Sequence, residues 1–212
     1  LLHRKGIKWF KKILLDKYFK KEIKSLRKEP ENKLIDYLGW QKQNKEKWFV
    51  GLPLLSGRLS GNKKKRIRQL VEKYNLDLRL TPNQDILLCN ISNKYKDDIE
   101  EILNGIGYEE LDNINEIQRH ALACPALPLC GLAMTEAERI LPDILKRIDD
   151  LLKSLNIKKT ILFRITGCPN GCSRPYMAEL ALVGSGLNKY QVWLGGSKNL
   201  QRLAKPYLQR MD

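Results

Sequence analysis

The sequence predicts an α+β protein with local α/β alternation, on three observations. Short strand-like runs alternate with amphipathic helical stretches between about Gln41 and Leu111. The chain has 212 residues, 42% of them hydrophobic, which is enough for a packed core. Past Asn113 two Cys-Pro-Gly motifs appear, with a helix and a strand between them.

The elements follow in order. Gly6 to Lys28 reads as a basic amphipathic helix, because Ile7, Phe10, Leu14 and Tyr18 recur at steps of three and four. Pro30 and the polar Glu31-Asn32-Lys33 break it. Trp48-Phe49-Val50 is a strand ended by Gly51 and Pro53. Ser56 to Gly61 is glycine-punctuated and turns or bulges. Lys63 to Tyr74 is a helix with Ile67, Leu70 and Val71 on one face, and Leu76 to Leu80 alternates as a half-buried strand does. After a turn at Thr81-Pro82-Asn83, Asp85 to Ile91 is a more apolar strand, and Lys96 to Leu103 is a helix that stops near Gly105.

Further on, Thr135-Glu136-Ala137-Glu138 has the pattern of a capping box. Ile140, Ile144, Ile148, Leu151 and Leu155 continue it as an apolar stripe, with Pro142 expected to kink the helix or shorten its first turns. Thr160 to Thr166, Leu180 to Val183 and Tyr190 to Leu194 read as strands, the last two joined by the turn Ser185-Gly186-Leu187-Asn188.

The formal net charge is +15. That excess favours an anionic partner: nucleic acid, an anionic membrane, an acidic protein or a polyanionic cofactor. The densest run, Lys63-Lys64-Lys65-Arg66, reads as a solvated helix start, and no nucleic-acid-binding motif accompanies it. No apolar run has membrane-spanning length. The first fifteen residues lack an uncharged signal-peptide core, and the chain opens without Met, which reads as a start inside a longer protein.

Five Cys make an odd count, which argues against a closed disulfide framework and for retained thiols in a reducing compartment. Four of them form two pairs: Cys124-Pro125-Ala126-Leu127-Pro128-Leu129-Cys130-Gly131 and Gly167-Cys168-Pro169-Asn170-Gly171-Cys172. Four thiolates in two pairs can surround one metal site. Structural zinc takes pairs spaced by two to four residues, which suits the second pair and not the first. Iron–sulfur clusters are larger and their usual ligand set is four Cys. An iron–sulfur cluster leads, with zinc and unligated thiols as alternatives. Cys89, in the apolar run Ile86-Leu87-Leu88-Cys89, reads as an inert core thiol, and His120 as a helix-end residue.

The first motif, continued through Leu132-Ala133-Met134-Thr135-Glu136-Ala137-Glu138-Arg139, resembles the siroheme-dependent sulfite reductases. So do Arg164-Ile165-Thr166-Gly167-Cys168-Pro169-Asn170-Gly171-Cys172 and Tyr74-Asn75-Leu76-Asp77-Leu78-Arg79-Leu80-Thr81-Pro82-Asn83-Gln84. The likeness runs from about Gly6 to the end, and is nearest the ferredoxin-dependent, assimilatory type.

The resemblance implies a 4Fe-4S cluster held by Cys124, Cys130, Cys168 and Cys172, with the Cys172 thiolate bridging it to the siroheme iron. It implies six-electron reduction of sulfite to sulfide, with ferredoxin as the acidic electron donor. It makes Gln84 and Asn170 cofactor-contacting residues, and Arg58 and Arg79 partners for siroheme carboxylates. It divides the chain into a helical linker (1–40), a ferredoxin-like nitrite/sulfite reductase half-domain (41–112) and a C-terminally truncated siroheme/4Fe-4S-binding α/β domain (113–212). The family's N-terminal half, with its substrate-binding Arg and Lys, is missing, so the chain is expected to be inactive alone. A cytoplasmic or plastid-stromal location is implied, without membrane or nucleic acid. The alternatives are a ferredoxin–nitrite reductase fragment and, from a different class, a zinc-stabilised basic nucleic-acid-binding module.

Overall fold

A computed structural model of the chain describes residues 2–19, 36–108, 111, 114–158, 160–197 and 202–211. The chain separates into two compact units, Leu1–Asn32 and Lys33–Asp212. In the first, helix α1 spans Leu2–Leu14 and passes into a wider helical turn over Leu15–Phe19. The helix begins ahead of the expected Gly6, and Gly6 itself interrupts it at φ 79°, ψ 164°, a conformation glycine adopts without penalty. The rest of the expected helix, to Lys28, and the break at Pro30 to Lys33 lie outside the described residues.

The second unit contains two sheets. Strands β1 (Gly39–Lys42), β2 (Lys47–Leu52), β3 (Asp77–Leu80) and β4 (Ile86–Ser92) form an antiparallel sheet in the order β1-β2-β4-β3. Helices α2 (Gly61–Tyr74) and α3 (Lys96–Asn104) pack against it through Ile67, Leu70, Ile99 and Leu103, which meet Val50, Leu52, Leu88 and Ile91 in one core.

Three expectations change here. β2 runs through Gly51 instead of ending there: glycine is needed because a Cβ would lie 1.8 Å from the Tyr37 carbonyl oxygen. Strand β1 is an addition; its four residues carry too little apolar alternation to read as a strand. β3 is exposed along its whole length, not half-buried, because it is the sheet edge and its alternation faces no covering layer. Cys89 sits in the core of β4, and burial pushes its thiol pKa up, as an inert thiol requires.

The second sheet orders β5 (Leu122–Ala123), β6 (Phe163–Thr166), β7 (Leu180–Gly186), β8 (Lys189–Leu194) and β9 (Lys205–Met211) in sequence. The first two junctions are parallel and the last two antiparallel. A parallel pair needs a long crossover, and helix α5 (Leu141–Ser154) lies within the one joining β5 to β6. Leu141 and Leu145 of α5 bury against Phe163, Ile165, Leu182 and Val192.

The capping-box expectation fails. α5 starts at Leu141 with Pro142 in its first turn, where a missing amide proton costs nothing. Thr135 is instead buried, its hydroxyl donating to the Tyr190 hydroxyl at 2.9 Å, and Glu138 pairs with Arg58. Among the described residues no helix is long and apolar enough to cross a membrane.

Candidate functional site

The parallel register of β5 and β6 sets Leu122 beside Arg164 and Ala123 beside Ile165. Cys124 follows directly, and its amide continues the ladder to the Ile165 carbonyl at 3.2 Å. Its sulfur is buried and accepts the Gly167 amide at 3.2 Å and the Thr166 hydroxyl at 3.5 Å. The first residue of the first motif therefore stands against the residue preceding Cys168.

The loop that follows Cys124 turns back on the same point. The Cys130 amide donates to the Ala126 carbonyl at 2.8 Å, and the amides of Met134 and Thr135 donate to the Gly167 carbonyl at 2.8 and 3.3 Å. Gly167 thus anchors the loop at both ends. A Cβ there would lie 2.7 Å from the Ala126 side chain and from the Thr135 carbonyl oxygen. Gly184 of β7 packs behind it, where a Cβ would come within 2.3 Å of the Gly167 carbonyl oxygen. The backbones of these segments therefore approach closely at two glycines.

In the second motif, Cys168 is buried and Cys172 exposed, while Cys130 is partly buried. The Gly171 amide reaches back to the Cys168 carbonyl at 3.4 Å, and Gly171 takes φ 68° beside the Tyr176 ring, closing the turn that carries exposed Asn170. The Ser173 hydroxyl donates to the Ile165 carbonyl at 2.8 Å, and Arg164 Nη1 donates to the Arg174 carbonyl at 2.9 Å. Both bonds tie the Cys172 segment to β6.

Among the described residues no three of His, Cys, Asp and Glu close round a point in the way a single metal ion requires. A cubane cluster, which places metal and sulfide between its ligands, spreads four thiolates more widely than one ion does. The Cys124 sulfur receives two hydrogen bonds, from the Thr166 hydroxyl and the Gly167 amide.

The remaining expected residues divide. Gln84, at φ 69°, donates from Nε2 to the Ala123 carbonyl at 2.9 Å, so it touches the residue just before Cys124; among the described residues its buried Oε1 has no partner. Arg58 is engaged by Glu138 at 2.6 Å, at the edge of a cleft of about 350 Å³ that Gln84 and Pro125 also line. Arg79 is apart, exposed on β3 with Asp77 at 3.9 Å. His120 closes the short helix α4 (Glu116–Arg119), the helix-end position expected of it.

Three residues of this region were not expected. Arg174 donates to the Pro82 carbonyl at 2.5 Å and so joins the second motif to the turn ahead of Gln84. Arg164 is buried on β6. Asp85, 9% exposed, accepts the Leu54 amide at 3.0 Å, and burial pushes its pKa up to about 6. Nothing in a one-dimensional pattern distinguishes these from surface charges.

The nitrite/sulfite reductase ferredoxin-like half domain matches residues 41–106. A ferredoxin sulfite reductase of Synechococcus elongatus is 45% identical over 216 residues, covering 100% of this chain and 34% of that protein. An NADPH sulfite reductase hemoprotein beta-component of Staphylococcus carnosus is 37% identical, covering 96% of this chain and 36% of that protein. One from Myxococcus xanthus is 34% identical, covering 100% and 38%. The chain thus spans little more than a third of the length of these relatives. The NirA protein of Mycobacterium tuberculosis shares the fold with a TM-score of 0.77 at 24% identity, covering 99% of this chain and 41% of that one. Residues 41–106 thus match the nitrite/sulfite reductase ferredoxin-like half domain, and the chain as a whole is similar to about a third of these sulfite reductases.

Proposed function

We propose that the chain is the cluster-binding, C-terminal portion of a ferredoxin-dependent sulfite reductase. Its domains would be a 41–112 half-domain and a 113–212 cofactor-binding domain. The observation that carries this reading is the contact of the Cys124 sulfur with the Gly167 amide, which joins two motifs 43 residues apart in sequence. A bare pair of thiols has no need of this convergence; a shared inorganic core does.

Cys124, Cys130, Cys168 and Cys172 would hold a 4Fe-4S cluster. Cys172, the exposed thiol of the four, would present its sulfur outward to the siroheme iron as well. When bound, these cofactors supply the redox chemistry that reduces sulfite to sulfide by six electrons. The protein's part is to hold and bias them. Gly167 and Thr166 direct hydrogen bonds at the Cys124 sulfur, Ser173 and Arg164 fix the Cys172 segment, and Gln84 keeps an acceptor beside the first motif. Asn170 would contact the cofactors from the turn between Cys168 and Cys172. Arg58 would serve a siroheme carboxylate only by exchanging Glu138, and Arg79 only from the β3 edge.

Siroheme carboxylates, sulfite and ferredoxin are all anionic, which gives the +15 net charge a purpose. The N-terminal half of the enzyme would complete the sulfite site, so the chain alone would not turn over, and its setting would be the cytoplasm or the plastid stroma. The test is anaerobic reconstitution with iron and sulfide. Equal amounts of iron and acid-labile sulfide with visible absorbance support the assignment; stoichiometric zinc with neither overturns it.

A further inference from the structure

Arg164 has no evident reason to be where it is. It is 2% exposed on the second strand of the second sheet, flanked in register by Leu122 of β5 and Ala181 of β7, which are 2% and 0% exposed. Such a position is ordinarily filled by Val or Ile. Its Nη1 donates to the Arg174 carbonyl, and among the described residues its enclosed Nε has no partner and no carboxylate pairs with it. Burial first, and the neighbouring Arg174 guanidinium second, pull its pKa down to about 10, which leaves it cationic at neutral pH. An unpaired buried cation is expensive to keep.

Its position relative to the cysteines supplies the reason. Strand alternation sets Arg164 and Thr166 on the same face of β6, about 7 Å apart along the strand. The Thr166 hydroxyl lies 3.5 Å from the Cys124 sulfur and 3.4 Å from the Cys168 carbonyl oxygen. The Arg164 guanidinium itself grips the carbonyl two residues after Cys172. The uncompensated charge therefore sits among segments that carry three of the four thiols.

We propose that Arg164 is a positioning residue whose fixed positive charge, brought to the Cys172 segment by its bond to Arg174, raises the reduction potential of a cluster held by these thiols. The inference rests on the cluster assignment above. A thiolate-ligated cluster is anionic and gains one further negative charge on reduction, so a buried cation favours the reduced form. In the step concerned, one electron passes from an external one-electron reductant to the cluster, and Arg164 exchanges neither electron nor proton.

The test uses the full chain, reconstituted anaerobically with iron and sulfide, as wild type, Arg164→Met and Arg164→Lys. Each is titrated with reductant while the cluster absorbance is followed. Arg164→Met is expected to lower the reduced-to-oxidised ratio at a fixed ambient potential about tenfold, equivalent to about 59 mV for one electron. Arg164→Lys, which keeps the charge, should stay within about twofold of wild type. A change below twofold in Arg164→Met at unchanged iron content overturns the proposal, as does a Lys variant shifted as far as Met. If Arg164→Met retains no iron, Arg164→Lys decides: restored iron with a wild-type titration supports the charge role, and an iron-poor Lys variant overturns it. A wild-type chain that takes up no iron and sulfide overturns the cluster assignment itself, and this inference with it.

Discussion

The backbone amide of Gly167 donates to the sulfur of Cys124 at 3.2 Å, so the residue ahead of the second cysteine motif secures the first cysteine of the first. The Gly167 carbonyl accepts from Met134 and Thr135 as well, and no room remains for a side chain. Gly167→Ala should therefore destabilise the fold by about 1–3 kcal/mol, the usual cost of forcing a methyl group into packed surroundings. It should also reduce iron uptake on reconstitution. Urea denaturation and iron analysis check the two effects, and a variant with wild-type values for both contradicts the anchoring role.

Tyr190 performs a second service for the same loop. Its hydroxyl donates to the Glu136 carbonyl at 2.7 Å and accepts from Thr135, which is 1% exposed. Tyr190→Phe removes a partner from the buried Thr135 hydroxyl and the partly buried Glu136 carbonyl and should cost about 1–3 kcal/mol, read from chemical denaturation. The double variant Tyr190→Phe/Thr135→Val should cost less than the sum of the two single changes, because the pair is removed together.

Cys172→Ser tests the proposed bridge. In protein loaded with both cofactors, the variant is expected to lose magnetic coupling between cluster and siroheme even where siroheme remains. Coupled spectra that persist unchanged refute the shared thiolate. Sulfite reduction by the unmodified chain alone should be negligible, and turnover near that of a full-length relative would contradict the need for the N-terminal half.

Asp85 gives a pH dependence with a definite sign. Burial raises its pKa from 3.8 to about 6, opposed by the Leu54 amide and assisted by Asp36. The folded state therefore holds this proton more tightly than the unfolded state does. Stability from this group is full below about pH 4 and is lost as pH rises to about 6. Asp85→Asn should match wild type near pH 4 and exceed it by about 2–3 kcal/mol above pH 7, at 1.36 kcal/mol per pKa unit. Paired denaturation curves at the two pH values measure the difference, and a variant less stable at high pH reverses the sign.

Much of this was legible in the sequence wherever periodicity and burial coincide. The apolar faces of α2, α3 and α5, the strands β4 and β6, and the pairing of the cysteine motifs follow from local pattern. The failures share a cause. β1 and β5 are too short to show alternation, β3 alternates without being covered, and Gly51 punctuates only when its neighbours in space are ignored. The Thr135-to-Glu138 pattern matched a cap in spacing, but the two polar side chains found partners 55 and 80 residues distant. At the site, residue types suggested the chemistry that is proposed, while the placement of Arg164 and Asp85 depends on which face of a strand or turn is enclosed.

Strand β5 has only two residues, and its partner strand lies 42 positions later. So short a ladder has little cohesion until α5 has docked and β6 has been laid beside it. Non-local parallel pairing of this kind forms late in folding, because the loop must close before any contact rewards it. The two halves of the thiol set are accordingly expected to meet only in a nearly finished scaffold.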